Sequence, residues 1–351
     1  MDGENDAKAV IETIGYPYET GGREYHASES LYELARKNKV GSAYVRALHD
    51  AGELNGLEKQ WQNRVEFQDR IERTLARLPE SIPESYKYAL VKSQHDFWAD
   101  SKDVDLILFN SELSELKEDL VEAGYEFCGD SPTSFDVLDP ETDIQLDVQS
   151  EFSLQQVVYF DPESMAEGVQ YRTVGGTRLP VVSKPDDLAL IIIHSVTEQL
   201  FIFKEYFAAV HALESFSKRE LGRFFDVVEA NNIGPACRSF FTLVDALTEE
   251  VFDCQTRFMN AVLERYPPRL AEREALVESD FTTPHRYTRG TGLRTIAGKA
   301  QSPRFLMSVA RQAPGLVRPS RFTHIAKNLL ARREREHYVH DTSDFEDGAE
   351  V

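Results

Sequence analysis

Two aspartates, one residue apart, stand at the start of an apolar run that is typical of a β-strand. Asp103 and Asp105 flank Val104 and are followed by the four apolar residues 106–109. Because side chains alternate along a strand, both carboxylates point the same way. Like charges this close raise each other's pKa unless a cation lies between them. The pattern therefore predicts a hard divalent ion, Mg²⁺ or Mn²⁺, and metal-assisted phosphoryl chemistry.

A third oxygen ligand is offered by a second apolar run, Ile144–Gln149. Asp147 lies there between Leu146 and Val148, where a carboxylate is costly without a cation or a hydrogen-bond donor. We expect Asp103, Asp105 and Asp147 to converge on one metal and to form the catalytic centre. The alternative is that Asp103 caps a turn or helix and that Asp147 lies at a sheet edge in water.

The composition excludes several classes of protein. The 351 residues include 60 acidic and 39 basic ones, a net charge of -21, which disfavours general nucleic-acid binding and resembles proteins of salt-loving organisms. Three cysteines without CxxC spacing support neither a disulfide framework nor a zinc site. Neither a leader nor a run of about 18 apolar residues is present, so we expect a cytoplasmic protein.

Hydrophobic spacing predicts an α+β fold, with a group of short strands flanked by N-terminal and C-terminal helical regions. A helix is expected over Ser111–Ala123, ended by Gly124, and Ser183 is expected to cap a strongly apolar helix that continues to about Leu213. Strands are predicted at Tyr88–Val91, Val104–Phe109, Tyr125–Cys128, Ser134–Leu138 and Ile144–Gln149, the last two as a hairpin, and further helices at 218–230, 234–250, 255–265, 303–313 and 321–336. The predicted domains are 1–80, 81–182, 183–282 and 283–351.

This order of elements resembles the nucleotidyltransferase superfamily, in particular a branch found among polysaccharide and surface-glycan genes. The resemblance covers roughly residues 30–215 and depends on Asp103-x-Asp105, on Gly124-Tyr125, on Asp147, and on Ser183-x-Pro185 opening an apolar helix. It implies a mixed-sheet palm in which the three aspartates hold Mg²⁺, a nucleoside triphosphate as substrate, and an activated acceptor hydroxyl.

One stretch departs from the superfamily pattern. Members usually carry Gly-Ser or Gly-Gly about ten residues before the aspartate pair, whereas this chain has Lys92-Ser93 and no glycine. Lys92 is predicted to contact phosphate as a point charge while Ser93 keeps the turn tight, and His95 is predicted to orient substrate or to serve as a base. Alternatively, Lys92 and His95 are solvated, and the fold binds a ligand without catalysis.

Three later residues also have two interpretations. His194, inside the apolar helix, is either a core histidine with a backbone partner or part of the wall of the nucleotide pocket. Lys204 and Tyr206 either reach a triphosphate or base, or lie at the surface.

The C-terminal segment is basic although the chain is acidic. Residues 282–340 hold twelve Lys or Arg against Glu334 and Glu336, so the segment carries +10 and the rest carries -31. Arg286, Arg289 and Arg294 of this segment are separated by stretches that contain glycine and threonine, which favours an anion-binding arm. The segment 283–340 either folds against the acidic body or lies on the inner face of an anionic membrane.

Two classes of function follow. The first is a Mg²⁺-dependent nucleotidyltransferase that moves a nucleotidyl or related phosphoryl group onto a small sugar or sugar-phosphate acceptor in surface-glycan or polysaccharide assembly. The second is an inactive scaffold of a glycosylation complex that binds nucleotide or sugar. Neither has nucleic acid as its partner.

Overall fold

The structure is a computed structural model that describes residues 3–15, 17, 25–93, 97–101, 103–109, 112–154, 157–252 and 254–316. The helices in this part of the chain are α1 (Gly3–Ile14), α2 (Glu29–Lys37), α3 (Gly41–Ala51), α4 (Glu58–Ser81), α5 (Leu113–Glu122), α6 (Glu163–Ala166), α7 (Lys184–Glu198), α8 (Phe203–Ser215), α9 (Lys218–Ala230), α10 (Gly234–Phe252), α11 (Met259–Arg265), α12 (Leu270–Glu278), α13 (Arg289–Lys299) and α14 (Pro303–Leu316).

The strands of the described residues form one mixed sheet of seven strands and two small two-stranded sheets. They are β1 (Lys87–Leu90), β2 (Asp103–Phe109), β3 (Glu126–Ser131), β4 (Ser134–Asp139), β5 (Ile144–Gln149), β6 (Phe152–Leu154), β7 (Val157–Phe160), β8 (Gln170–Val174), β9 (Thr177–Val181), β10 (Leu200–Phe201) and β11 (His285–Arg286). The large sheet has the order β3-β4-β5-β2-β1-β9-β8. Strand β2 runs parallel to β5 and antiparallel to β1, which places β2 in the middle of the sheet.

The alternation of side chains along β2 and β5 assigns each face of the sheet to a different core. Val104, Leu106 and Leu108 of β2, with Leu146 and Val148 of β5, pack in a hydrophobic cluster with α4 and α5. The residues between them face the opposite way, toward the core formed by the N-terminal helices and by α7 to α12. Asp103, Asp105 and Asp147 belong to this second face, so the sequence pattern itself directs them toward the helices.

The apolar helix predicted after Ser183 is the centre of that second core. Ser183 caps α7, its hydroxyl accepting from the backbone N–H of Asp186, and Leu188 to Ile193 are almost fully buried. The predicted continuation of this helix to about Leu213 is wrong, because Gln199 adopts a left-handed conformation and ends α7 at Glu198. Helix α8 follows after the short strand β10 and packs against α7. These two helices form the roof above the carboxylate-bearing end of β2.

The predicted α+β class is confirmed, and most predicted elements lie where the pattern placed them. The helix before Gly124 buries Leu116 and Leu120, and Gly124 ends it with φ +97°. The hairpin of β4 and β5 forms around the turn at residues 140–143. Strands β6 to β9 were not anticipated, and the expected piece at 321–336 lies outside the described residues.

Candidate metal centre

The three aspartates selected from the sequence lie together. Asp105 and Asp147 are direct register partners on the parallel strands β2 and β5, and Asp103 stands one pleat earlier on β2. One carboxylate oxygen from each residue lies within 4.8 Å of the other two. Strand β5 is paired on both sides, so Asp147 does not lie at a sheet edge, as the alternative interpretation required.

The carboxylates of Asp103, Asp105 and Asp147 repel one another, so ionising all three without a cation costs free energy. Burial raises the pKa of Asp147 to about 7, and the neighbouring Asp105 carboxylate adds to this effect. Burial likewise raises the pKa of Asp105, against the opposing effect of the Lys92 ammonium. Burial would also raise the pKa of Asp103, but Lys92 and Lys204 together hold it below its ordinary value. A divalent cation would remove the repulsion, and three converging carboxylates are a suitable donor set for Mg²⁺ or Mn²⁺.

Lys92 reaches the trio directly. Its Nζ lies 2.6 Å from Asp105 Oδ1, and its backbone N–H donates to the Asp187 carboxylate at the start of α7. Burial would lower the pKa of Lys92, but Asp105, Tyr159 and Asp103 together outweigh burial and raise it. The ammonium therefore stays charged against the aspartates, and the predicted solvated lysine is wrong.

The backbone of Lys92 explains the missing glycine. Its φ is +52°, in the left-handed region that glycine adopts without cost and that a lysine adopts only when its surroundings require it. Ser93 follows, and its hydroxyl is shielded from solvent without a hydrogen-bond partner within the described part of the chain. Lys92 thus adopts the left-handed backbone conformation that a glycine at this position would adopt without strain. His95 lies outside the described residues.

The trio opens into a cavity of about 350 Å³ between the sheet and the helical roof. Lys37, Lys39 and Arg286 line it together with the aspartates and Lys92, so both signs of charge meet there. Its remaining walls are Gln149, Ser153, Tyr159, His194, Ser195, Glu198, Gln199, Leu200, Ile202 and Glu205. A smaller cavity of about 110 Å³ adjoins Asp103 and Asp105 and is lined by Lys39, Lys204 and Ser101 among others.

The structure separates the three later candidates. His194 lines both cavities, and its Nδ1 lies 3.3 Å from the Tyr159 hydroxyl, so it belongs to the pocket wall. Lys204 faces the small cavity beside Asp103 and is not a surface group. Tyr206 is fully buried, with its hydroxyl 3.2 Å from Thr248 Oγ1, and both interpretations offered for it are wrong.

Sequence reasoning missed Lys37, Lys39 and Tyr159. Lys39 lies more than fifty residues before the aspartate pair, and only the packing of the N-terminal helices brings it to the cavity. The one local signal was Lys37-Asn38-Lys39, a basic turn after a helix with Asn38 at its end. Tyr159 stands on β7, in a segment where no strand was predicted.

The basic segment after residue 282 is described only to Leu316. Arg286 lines the main cavity, while Arg289 and Arg294 belong to α13. Arg304 of α14 pairs with Asp161 and Glu163 of the acidic body. Over the described ranges, no helix combines the length and apolarity needed to cross a lipid bilayer.

Comparisons with known proteins give little to add to this geometry. No protein-family model and no curated protein matches the chain. Among solved structures, the chain is similar to the crystal structure of an antigenic nucleotidyltransferase-like protein from Paracoccidioides brasiliensis, at 13% identity and a TM-score of 0.28. The match covers 64% of this chain and 96% of that one. A likeness this weak carries no argument, so the functional conclusion depends on the site.

Proposed function

We propose that this protein is a divalent-metal-dependent nucleotidyltransferase that transfers a nucleotidyl or related phosphoryl group to a small acceptor hydroxyl. The observation that carries the proposal is the convergence of Asp103, Asp105 and Asp147 on adjacent central strands, at the base of a cavity lined on its other side by basic residues. The carboxylates suit a divalent metal, and the basic residues beside them suit a phosphate-bearing substrate.

Each group of residues around the cavity would have a separate role in the transfer. Asp103, Asp105 and Asp147 would hold Mg²⁺ or Mn²⁺, which supplies charge neutralisation at the transferred phosphoryl group when bound. Lys92 lies close enough to exchange its contact with Asp105 for a phosphate oxygen. The Ser93 hydroxyl is shielded and has no hydrogen-bond partner among the described residues, so it is available to donate to the same phosphate. The roof of α7 and α8 would limit the access of water.

The substrate and setting are finer parts of the proposal. A nucleoside triphosphate as donor and a sugar or sugar-phosphate as acceptor, within surface-glycan or polysaccharide assembly, are supported by the resemblance in sequence order. A cytoplasmic location and contact of residues 283–340 with the inner membrane face belong to the same proposal. The exposed apolar side chains of Leu293, Ile296, Leu306 and Met307 on basic helices support that contact.

The test is a transfer assay with labelled nucleoside triphosphates and a panel of sugar phosphates, in Mg²⁺ or Mn²⁺. We expect metal-dependent label transfer and pyrophosphate release by the wild type, and loss of both in Asp105→Asn and Asp147→Asn. Glu122→Gln is the matched control, because it removes an exposed carboxylate outside the cavity. Equal turnover in the aspartate variants and the control would contradict the proposal.

One observation favours a second candidate, a ligand-binding scaffold without catalysis. The Lys92 ammonium already lies at hydrogen-bond distance from Asp105, where it neutralises part of the charge that a metal would neutralise. In that case nucleotide or sugar phosphate would bind with equal affinity in EDTA and in Mg²⁺, and no label would be transferred. The same assay, combined with a binding titration, separates the two candidates.

A further inference from the structure

A turn of the N-terminal helical region is attached to both halves of the candidate site. Asn38 and Lys39 join α2 to α3. The Asn38 carbonyl accepts from the Lys204 N–H at 3.1 Å, and its side-chain Oδ1 accepts from the Phe203 N–H at 3.3 Å. On the other side, the Lys39 carbonyl accepts from the Asp100 N–H at 3.0 Å. The turn is therefore fixed between the first turn of α8 and the segment that leads into β2.

Asp100 fixes the same turn through its side chain. The buried carboxylate accepts from the backbone N–H groups of Gly41 at 2.7 Å and of Ser42 at 3.0 Å, and also from the Ser42 hydroxyl. These are donors at the start of α3 that otherwise have no partner within the helix. Lys39, just before them, has φ +55°, a costly backbone conformation for a lysine that the surrounding bonds impose.

The turn directs Lys39 into the small cavity that Lys204 also lines. Neither ammonium has an ion-pair partner within 4 Å in the part of the chain that the structure describes. Burial, and next the charge of Lys39, lower the pKa of Lys204, so the two cations are close enough to repel each other. Asp103, Asp105 and Glu205 line the same cavity and offset this repulsion only in part, since the pKa of Lys204 stays below its ordinary value. A metal on the two aspartates would withdraw their share of that compensation.

Two cations held close together, with no ion pair within 4 Å among the described residues and one of them on a strained backbone, form a site for an anion. We propose that Lys39 and Lys204 form a phosphate-binding subsite, built jointly by the Asn38–Lys39 turn and α8, next to the metal centre. The proposal depends on the proposed function for its biological use, but binding of phosphate at this subsite requires no metal. The phosphate belongs either to the triphosphate of the donor or to a phosphorylated acceptor.

The experiment is a calorimetric titration in EDTA, at fixed ionic strength, with inorganic tripolyphosphate and separately with glucose 1-phosphate. We expect Lys39→Met/Lys204→Met to lose about tenfold or more in affinity, the scale of one lost charge-assisted hydrogen bond. Lys59→Met/Lys87→Met is the matched control, since it removes the same charge from exposed positions. Loss confined to tripolyphosphate assigns the subsite to the donor, and loss confined to glucose 1-phosphate assigns it to the acceptor.

Two further variants keep the outcome decisive. Lys39→Arg/Lys204→Arg preserves both charges and should bind within a few-fold of the wild type, whereas a folding defect would weaken both double variants. Asp147→Asn should lose Mn²⁺ binding and keep the anion, so failure of the metal centre and failure of this subsite give different results. Equal affinity in the methionine variant and its control, or no binding by the wild type, would overturn the proposal.

Discussion

At the scale of single residues, Lys92 decides how the three aspartates behave in the absence of a metal. Its ammonium stabilises Asp105, and a bound cation must compete with it for that carboxylate. Lys92→Met should therefore lower the stability of the metal-free protein by about 3 kcal/mol, the typical cost of removing one partner of a buried ion pair. The same variant should show a larger rise in Tm with Mg²⁺ than the wild type does.

Thermal unfolding with and without about 5 mM Mg²⁺ measures both effects, because a ligand that binds only the folded state raises Tm. Lys59→Met serves as the control, because it removes a lysine from an exposed position on α4. If Mg²⁺ shifts the Tm of Lys92→Met and of the wild type by the same amount, Lys92 does not compete with the metal.

Asp245, far from the cavity in sequence, should make stability depend on pH. It is 5% exposed on α10, and its Oδ1 has no hydrogen-bond partner within the described residues. Burial, aided by repulsion from Glu249, raises its pKa to about 6. The folded state therefore binds this proton more tightly than the unfolded state does. The resulting contribution of protonated Asp245 to the stability of the fold is fully present below pH about 4 and is lost as pH rises through about 6.

Asp245→Asn removes the charge that is costly at high pH. We expect the free energy of unfolding to increase by about 2 kcal/mol at pH 8 and by clearly less at pH 5. Urea titrations of both proteins at the two pH values measure the difference. An effect of the same size at both values would show that ionisation of Asp245 is not its cause.

At the scale of elements, the start of α3 depends on a carboxylate that is distant in sequence. Asp100→Ala removes three hydrogen bonds and leaves the first N–H groups of α3 without acceptors in a buried place. We expect a loss of about 2 to 3 kcal/mol in the free energy of unfolding. Ser28→Ala, which removes an ordinary cap of α2, should cost about 1 kcal/mol.

Urea unfolding of the two variants provides the comparison. Equal losses would mean that Asp100 is only a helix cap and does not fix the Asn38–Lys39 turn between the sheet and α8.

The elements that carry the aspartates could be predicted because their patterns are local. Val104 and Leu106 alternate with the two aspartates at the start of β2, and Leu116 and Leu120 lie at helical spacing before Gly124. The hairpin of β8 and β9 was missed for a physical reason. Strand β8 is largely exposed and β9 contains Pro180, a residue that argues against a strand, although Gly175 and Gly176 at the turn both have positive φ.

The candidate site was predictable only where sequence neighbours build it. The strand period places Asp103 and Asp105 together, and the pairing of β2 with β5 adds Asp147 as expected. Lys39 and Lys204 are brought together by hydrogen bonds across 165 residues, which no local pattern encodes. The same holds for Lys92, whose contact with Asp105 depends on a left-handed backbone that a lysine rarely adopts.

At the scale of the whole molecule, a net charge of -21 should make the fold depend on salt. Self-repulsion of the acidic body destabilises the compact state, and screening weakens as ionic strength falls. We expect Tm to rise between about 0.05 and 1 M KCl, where the screening length shortens from about 14 to 3 Å. Differential scanning calorimetry checks this, with sucrose as an uncharged control. A Tm that stays constant or falls would contradict the expectation.

The central claim is that Asp103, Asp105 and Asp147 together bind a divalent cation. Electron paramagnetic resonance of Mn²⁺, titrated with protein at high salt, measures this directly because free Mn²⁺ loses its signal on binding. We predict saturable binding by the wild type and by Glu122→Gln, and its loss in Asp105→Asn and in Asp147→Asn. Binding that is the same in all four proteins, or absent from the wild type, would contradict the account.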